Sequence, residues 1–157
     1  ITPEMIDLAE KNRQAENVEF MLYDGVHFPE IPFLFDLILS IGVLQIMRGE
    51  TLKNAIFELS KYLKLGGKFY FIEQVSDNPK VGRPNLKEYL QAFEEAKLEC
   101  FQNYPIRNGR WGLLYLIRYG MIPETLFRRI AQYELNKRRW ERGFVRFYKD
   151  YLFLLRK

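Results

Sequence analysis

The chain has 157 residues, 48% of them hydrophobic and 16% aromatic, enough to bury one core and too many for global disorder. No apolar run reaches the ~18 residues that span a bilayer, no signal peptide is visible, and the single Cys100 excludes an intramolecular disulfide framework. The net charge of +4 hides an asymmetry: residues 1–106 hold 11 basic and 16 acidic side chains, whereas residues 107–157 hold 13 basic and 4 acidic.

In chain order, Thr2-Pro3-Glu4 reads as a helix start, with Thr as N-cap, Pro at the first helical position and Glu in the first turn. Met5, Ile6, Leu8 and Ala9 give that helix an apolar face to about Lys11. Residues 18–22 read as a short strand stopped by Asp24-Gly25, and His27 lies in a loop flanked by prolines. Residues 35–41 are almost continuously apolar, which predicts a strand covered on both faces in a parallel sheet, ended by Gly42. Thr51 is expected to cap a helix running to about Leu63, closed by Gly66-Gly67 as a C-cap. Residues 68–73 form the next strand and residues 76–85 a polar loop. Residues 86–97 form a helix with Leu86, Tyr89, Leu90 and Phe93 on one face, and residues 98–104 a strand.

Beyond that point the sequence becomes aromatic and basic. Residues 107–122 read as partly helical. Pro123 opens a helix to about Gly143 with Leu126, Ile130, Tyr133 and Trp140 along one stripe, and residues 151–155 form a final buried strand. The alternation predicts an α/β layered fold with a largely parallel sheet.

Ligands of open α/β sheets bind beyond the carboxyl ends of the strands. Three such ends are visible: Asp24-Gly25, Ser40-Ile41-Gly42 and Glu73-Gln74. Glu73 reads as a solvated strand end, His27 as an exposed loop residue and Cys100 as a small buried hydrophobe. No Cys/His cluster points to a metal. Gly66-Gly67 lacks the Lys-Ser/Thr of a phosphate loop.

Four stretches in this order resemble class I S-adenosylmethionine-dependent methyltransferases. The opening ITPEMI (residues 1–6) is similar to the segment after that family's second strand, and VEFMLYDG (18–25) to its third strand and the Asp-Gly end. FDLILSIGVLQ (35–45) is similar to its fourth strand and turn, and LKLGGKFYFIEQ (63–74) to its Gly pair and fifth strand. YLQAFEEAKLECFQNY (89–104) and DYLFLLRK (150–157) fall where the next helix, the sixth strand and the last strand lie.

The resemblance implies a three-layer Rossmann-like methyltransferase sheet, incomplete at the N-terminus because the first strand and its Gly-rich loop would precede Ile1. Residues 1–157 would then be a single partial methyltransferase-type domain, with residues 107–149 a basic helical insertion or lid before the last strand. The implied cofactor is S-adenosylmethionine. Ile1 and Thr2 would lie beside its ribose and adenine, Asp24 would accept from the adenine amine, and Gly25 would face the ring edge. Ser40, Ile41 and Gly42 would line the methionine end, with Gln45 near the substrate mouth. The family often has His one residue after that Gln. Here Ile46 stands there, so no catalytic residue is assigned.

The implied activity is methyl transfer to a hydroxyl of a small molecule or a cell-surface glycan intermediate, by a cytoplasmic enzyme. The alternatives are an RNA or tRNA methyltransferase, which the basic half would suit, and a non-catalytic methyltransferase-like partner subunit. The basic and aromatic residues also suit peripheral contact with an anionic membrane. Without its first strands the chain alone is expected to be inactive and to self-associate through exposed apolar edges.

Overall fold

A computed structural model describes residues 2–23, 30–108, 112–138 and 147–157. The chain divides into two compact units, residues 1–33 and residues 34–157.

In the first unit, α1 (Pro3–Lys11) forms where the Pro start and Glu4 predict it. A hydrogen bond from Thr2 holds the Glu4 carboxyl below its ordinary value. The strand expected over residues 18–22 does not form: this stretch lies outside any ladder. β-propensity alone does not make a strand, because the backbone groups of an extended segment need a paired neighbour. The Arg13 guanidinium donates to the Val18 carbonyl at 3.0 Å.

The second unit is built on a four-stranded sheet. In chain order its elements are β1 (Phe35–Ile41), α2 (Gly49–Lys61), β2 (Leu63–Val75), α3 (Leu86–Glu95), β3 (Glu99–Asn108), α4 (Gly112–Arg118), α5 (Phe127–Arg138) and β4 (Lys149–Arg156), with short 3-10 turns at Leu44–Ile46, Pro79–Val81 and Glu124–Leu126. The spatial order is β1-β2-β4-β3. β1 and β2 are parallel, while the last strand inserts antiparallel between β2 and β3. Three strands therefore point one way and β4 runs against them. The fold class is α/β as expected, with the reversed strand inside the sheet.

The core lies between this sheet and α2 with α3. It joins Leu52 and Ile56 of α2, Phe69 and Phe71 of β2, Tyr89 and Phe93 of α3, and Phe153 and Leu155 of β4. The apolar positions of α3 fall on one side as their spacing requires. Its start is a capping box: the Asn85 side chain accepts from the Glu88 amide, and the Glu88 side chain accepts from the Asn85 amide. β1 is an edge strand, with β3 at the opposite edge, and is not covered on both faces in this unit. Leu37, Leu39 and Ile41, all on its side away from α2 and α3, are each more than half exposed.

Two expectations around the glycine pair are corrected. Helix α2 starts at Gly49, so Thr51 lies within its first turn, and it closes at Tyr62 without a Gly cap. Gly66 and Gly67 belong to β2. Gly66 adopts φ +78, and a Cβ on Gly67 would sit 2.8 Å from the Lys64 carbonyl oxygen and 2.9 Å from the Leu63 side chain. The pair thus serves a tight bend where the chain end is bound: the Gly66 amide donates to the Lys157 carbonyl at 3.0 Å, and the Lys157 amide donates to the Gly67 carbonyl at 3.2 Å. Lys157 Nζ also donates to the Ser60 carbonyl in the last turn of α2 and to the Leu63 carbonyl at the start of β2.

Between β3 and β4 the chain forms α4 and α5, the helical insertion expected there. The expected helix from Pro123 begins as a 3-10 turn and becomes α5 at Phe127. Its far end, with Trp140 and Gly143, lies outside the described residues. The expected stripe does not pack down: Leu126 and Tyr133 are exposed and Ile130 is half-buried. Among the described side chains of α5 the buried one is Glu134, whose Oε1 accepts from the Asn108 amide at 3.3 Å and ties the helix to the end of β3. Among the described residues, no helix is long and apolar enough to cross a membrane.

Candidate functional site at the carboxyl ends of the parallel strands

β1 and β2 run parallel with Ser40 beside Phe71 and Ile41 beside Ile72, so their carboxyl ends lie side by side. At β1 the chain leaves the sheet through Gly42, which adopts φ +68, a region open to glycine and strained for other residues. The Gly42 amide donates to the Ile72 carbonyl at 2.9 Å, which holds this exit against β2. The Leu44–Ile46 turn follows.

The carboxylate of Glu73 organises this turn. Its Oε1 accepts from the Ser40 hydroxyl at 2.8 Å and from the Val43 amide at 3.2 Å, and its Oε2 accepts from the Gln45 amide at 3.0 Å. Glu73 is 1% exposed, so the expectation of a solvated strand end is wrong. The missed signal is strand parity. Phe69, Phe71 and Val75 are all buried on the core side of β2, and Glu73 shares their register. The next residue takes the other side: Gln74 Oε1 accepts from Arg83 Nε at 2.8 Å, and the Gln74 carbonyl accepts from the Tyr89 hydroxyl at 3.4 Å.

Burial pushes the Glu73 carboxyl up from its ordinary value of 4.5, and the hydrogen bonds from Ser40 and the turn amides offset only part of that rise. The native state therefore binds this proton more tightly than the unfolded chain. The stability that Glu73 confers grows as pH falls through its raised folded pKa, levels off below the ordinary value, and is lost as pH rises again. Glu73→Gln removes this titration. In thermal melts from pH 7 down towards pH 4.5, the Tm of the wild type minus that of the variant is expected to rise. A difference that stays constant over that range would contradict the assignment.

The predicted site residues fall into three groups. Ser40, Ile41, Gly42 and Gln45 are brought together at the end of β1. Of these, the Ser40 hydroxyl is turned inward onto Glu73, Ile41 is 58% exposed, and Gln45 is half-buried with its amide close to Gly42. Thr2 is exposed at the start of α1 in the first unit. Ile1, Asp24 and Gly25 lie outside the described residues, as does His27, expected only as an exposed loop residue. Cys100 is half-buried against the core, and burial raises its thiol pKa.

Residues 1–71 match a family model described as "Methyltransferase domain". No curated protein matches the chain. Among solved structures, a Galdieria sulphuraria protein assigned as a sarcosine dimethylglycine methyltransferase is 14% identical. The match covers all of this chain and 67% of that one, with a TM-score of 0.65. A Bacillus halodurans protein assigned as a methyltransferase is 17% identical, with full coverage of this chain, 80% of that one and a TM-score of 0.64. The O-methyltransferase of a trans-AT PKS multienzyme from Brevibacillus brevis, solved with S-adenosyl-L-homocysteine, is also 17% identical. That match covers 96% of this chain and 52% of that one, with a TM-score of 0.56. The chain thus spans only about half to three-fifths of the length of several structures it matches.

Proposed function

We propose that this chain, which carries the Rossmann-like fold of the class I S-adenosylmethionine-dependent methyltransferases, forms the larger part of such an enzyme's catalytic domain, with S-adenosylmethionine as its cofactor. The observation that carries this reading is the turn from Ser40 to Gln45. It lies at the carboxyl end of a parallel strand, where ligands of open α/β sheets bind. It falls inside the stretch that matches the family model, and Glu73 fixes its backbone. The S-adenosyl-L-homocysteine bound to the Brevibacillus enzyme supports the same cofactor.

The residues fit such a ligand. Gly42 has no side chain, and a Cβ there would meet nothing nearer than the Gln45 amide at 3.6 Å, so the backbone is open to close approach. Exposed Ile41 offers an apolar contact. Asp24 would accept from the adenine amine and Gly25 would face the ring edge, with Ile1 and Thr2 on the ribose side. The bound cofactor supplies a methyl group on a cationic sulfonium. The protein's task is then to orient the acceptor and exclude water, and a strong base is optional. Ile46 in place of a His agrees with that division of labour.

The acceptor we propose is a hydroxyl of a small molecule or glycan intermediate, reached beneath the insertion between β3 and β4. The Galdieria protein's assignment to sarcosine and dimethylglycine supports a small acceptor, and the Brevibacillus protein's to O-methyl transfer supports a hydroxyl. The second reading is RNA, favoured by one observation: Tyr133 is 59% exposed and Lys137 Nζ lies 5.7 Å from its ring centre, on a helix that also presents exposed Arg128 and Arg129.

One variant separates the two. Under the small-acceptor reading the insertion's charges serve no contact with the substrate, so changing Lys137, Arg138 and Arg139 to Gln should leave methyl transfer to small acceptors nearly intact. An RNA enzyme would instead lose RNA affinity and about one unit of salt slope for each phosphate contact removed. Titration of full-length wild type and variant against RNA, anionic vesicles and small hydroxyl acceptors reads the difference. A large loss confined to RNA would overturn the small-acceptor reading, and a loss confined to vesicles would point to a membrane-bound acceptor.

A further inference from the structure

We infer that Glu73 is a positioning residue for the proposed cofactor site, setting the conformation of the Ser40–Gln45 turn without touching the ligand. The inference rests on the methyltransferase reading and adds a residue to it. A carboxylate is an acceptor-only group with two oxygens, and here each oxygen holds a different part of the turn. Oε1 takes the Ser40 hydroxyl and the Val43 amide, and Oε2 takes the Gln45 amide. With the Gly42 amide bound to the Ile72 carbonyl, the turn is tied to β2 through both side chain and backbone. Gly42 and Gln45, the residues proposed to face the cofactor and the acceptor, are thereby fixed relative to the sheet. Ser40 serves the same end: its hydroxyl is spent on Glu73, so its proposed role at the methionine end passes to the backbone around it.

Stability alone is a poor reason for this arrangement. A buried carboxylate is costly to keep charged, and burial raises its pKa here despite the hydrogen bonds. A neutral Gln would fill the same volume, but its NH2 group would face backbone N–H groups that cannot accept. Glu73→Gln therefore leaves packing nearly unchanged and mispairs the turn.

Two measurements on the full-length protein test this: calorimetric titration with S-adenosyl-L-homocysteine, and amide hydrogen exchange without ligand. Glu73→Gln is expected to weaken binding about tenfold and to speed exchange at Val43 and Gln45 at least about tenfold, leaving the β2–β4 ladder unchanged. Leu155→Ala, a core change on β4 remote from the turn, should lower Tm yet leave the affinity of the folded protein within about twofold. A weakening of the same size in Leu155→Ala would mean that general destabilisation explains the loss, and would overturn the positioning role. So would unchanged affinity and unchanged exchange in Glu73→Gln. A wild type that binds no S-adenosyl-L-homocysteine would overturn the proposed function, while the exchange at Val43 and Gln45 would still decide whether Glu73 holds the turn. Should Glu73→Gln fail to fold, Glu73→Asp keeps both acceptors one methylene short. A roughly threefold weakening is then expected on the same two readouts, and no change would count against the inference.

Discussion

Phe153→Ala is expected to destabilise the protein by about 3–5 kcal/mol, the range for emptying a fully buried aromatic site. Phe153 is 0% exposed, and its ring centre lies 5.2 Å from that of Tyr89, 5.3 Å from Phe93 and 5.9 Å from Tyr151. Along the sheet it stands between Phe71 of β2 and Asn103 of β3. The lost ring would leave a cavity bounded by β4, its two neighbours and α3, and a well-packed interior closes such a void only in part. Leu152 is one residue away on the opposite face and half-buried, so Leu152→Ala should cost distinctly less. Urea unfolding of the two variants beside the wild type measures the contrast. Equal losses would contradict both the register of β4 and its place inside the sheet.

That place was not legible in the sequence. The alternation at residues 151–155 announces a strand with Tyr151, Phe153 and Leu155 on one side, and those three are buried. Nothing in the alternation says which strands flank it or in which direction it runs, because pairing between distant segments is set by the whole sheet. The helices were easier, since their signals are local: the Thr2-Pro3 start of α1 and the spacing of Tyr89 and Phe93 on α3 both appear as expected. Local signals also misled. The apolar run at residues 18–22 looks like a strand and makes no ladder, and the Gly pair after α2 resembles a C-cap yet forms a bend in β2.

The candidate site shows the same division. Ser40, Ile41 and Gly42 could be picked out because an apolar strand ending in Gly is visible in one dimension, and Gln45 because the stretch resembles the turn after the methyltransferases' fourth strand. The residue that organises them, Glu73, lies 33 positions beyond Ser40 and was misread. Its charge suggested solvent, and the parity of β2 outweighs charge when donors are waiting in the core. The insertion is the converse case. Its spacing put Leu126 and Tyr133 on one stripe, and that stripe faces outward, while the buried anchor is the acidic Glu134.

Asp24→Ala carries the second large effect and the most direct test. The proposed role of Asp24 is to accept from the exocyclic amine of adenine, a hydrogen bond to a charged acceptor worth about 1.5–3 kcal/mol. Its loss corresponds to about a tenfold or greater rise in dissociation constant. A plain turn-forming Asp before Gly25 would have no such effect, because Ala at an exposed turn changes local conformation and little else. The two roles therefore part on affinity and not on folding. The deciding measurement is calorimetric titration of S-adenosylmethionine into the full-length protein and its Asp24→Ala variant, both shown to be folded by their thermal melts. Saturable one-to-one binding by the wild type, weakened about tenfold or more in the variant, is the predicted result. No binding by the folded wild type, or the same affinity in both proteins, would contradict it.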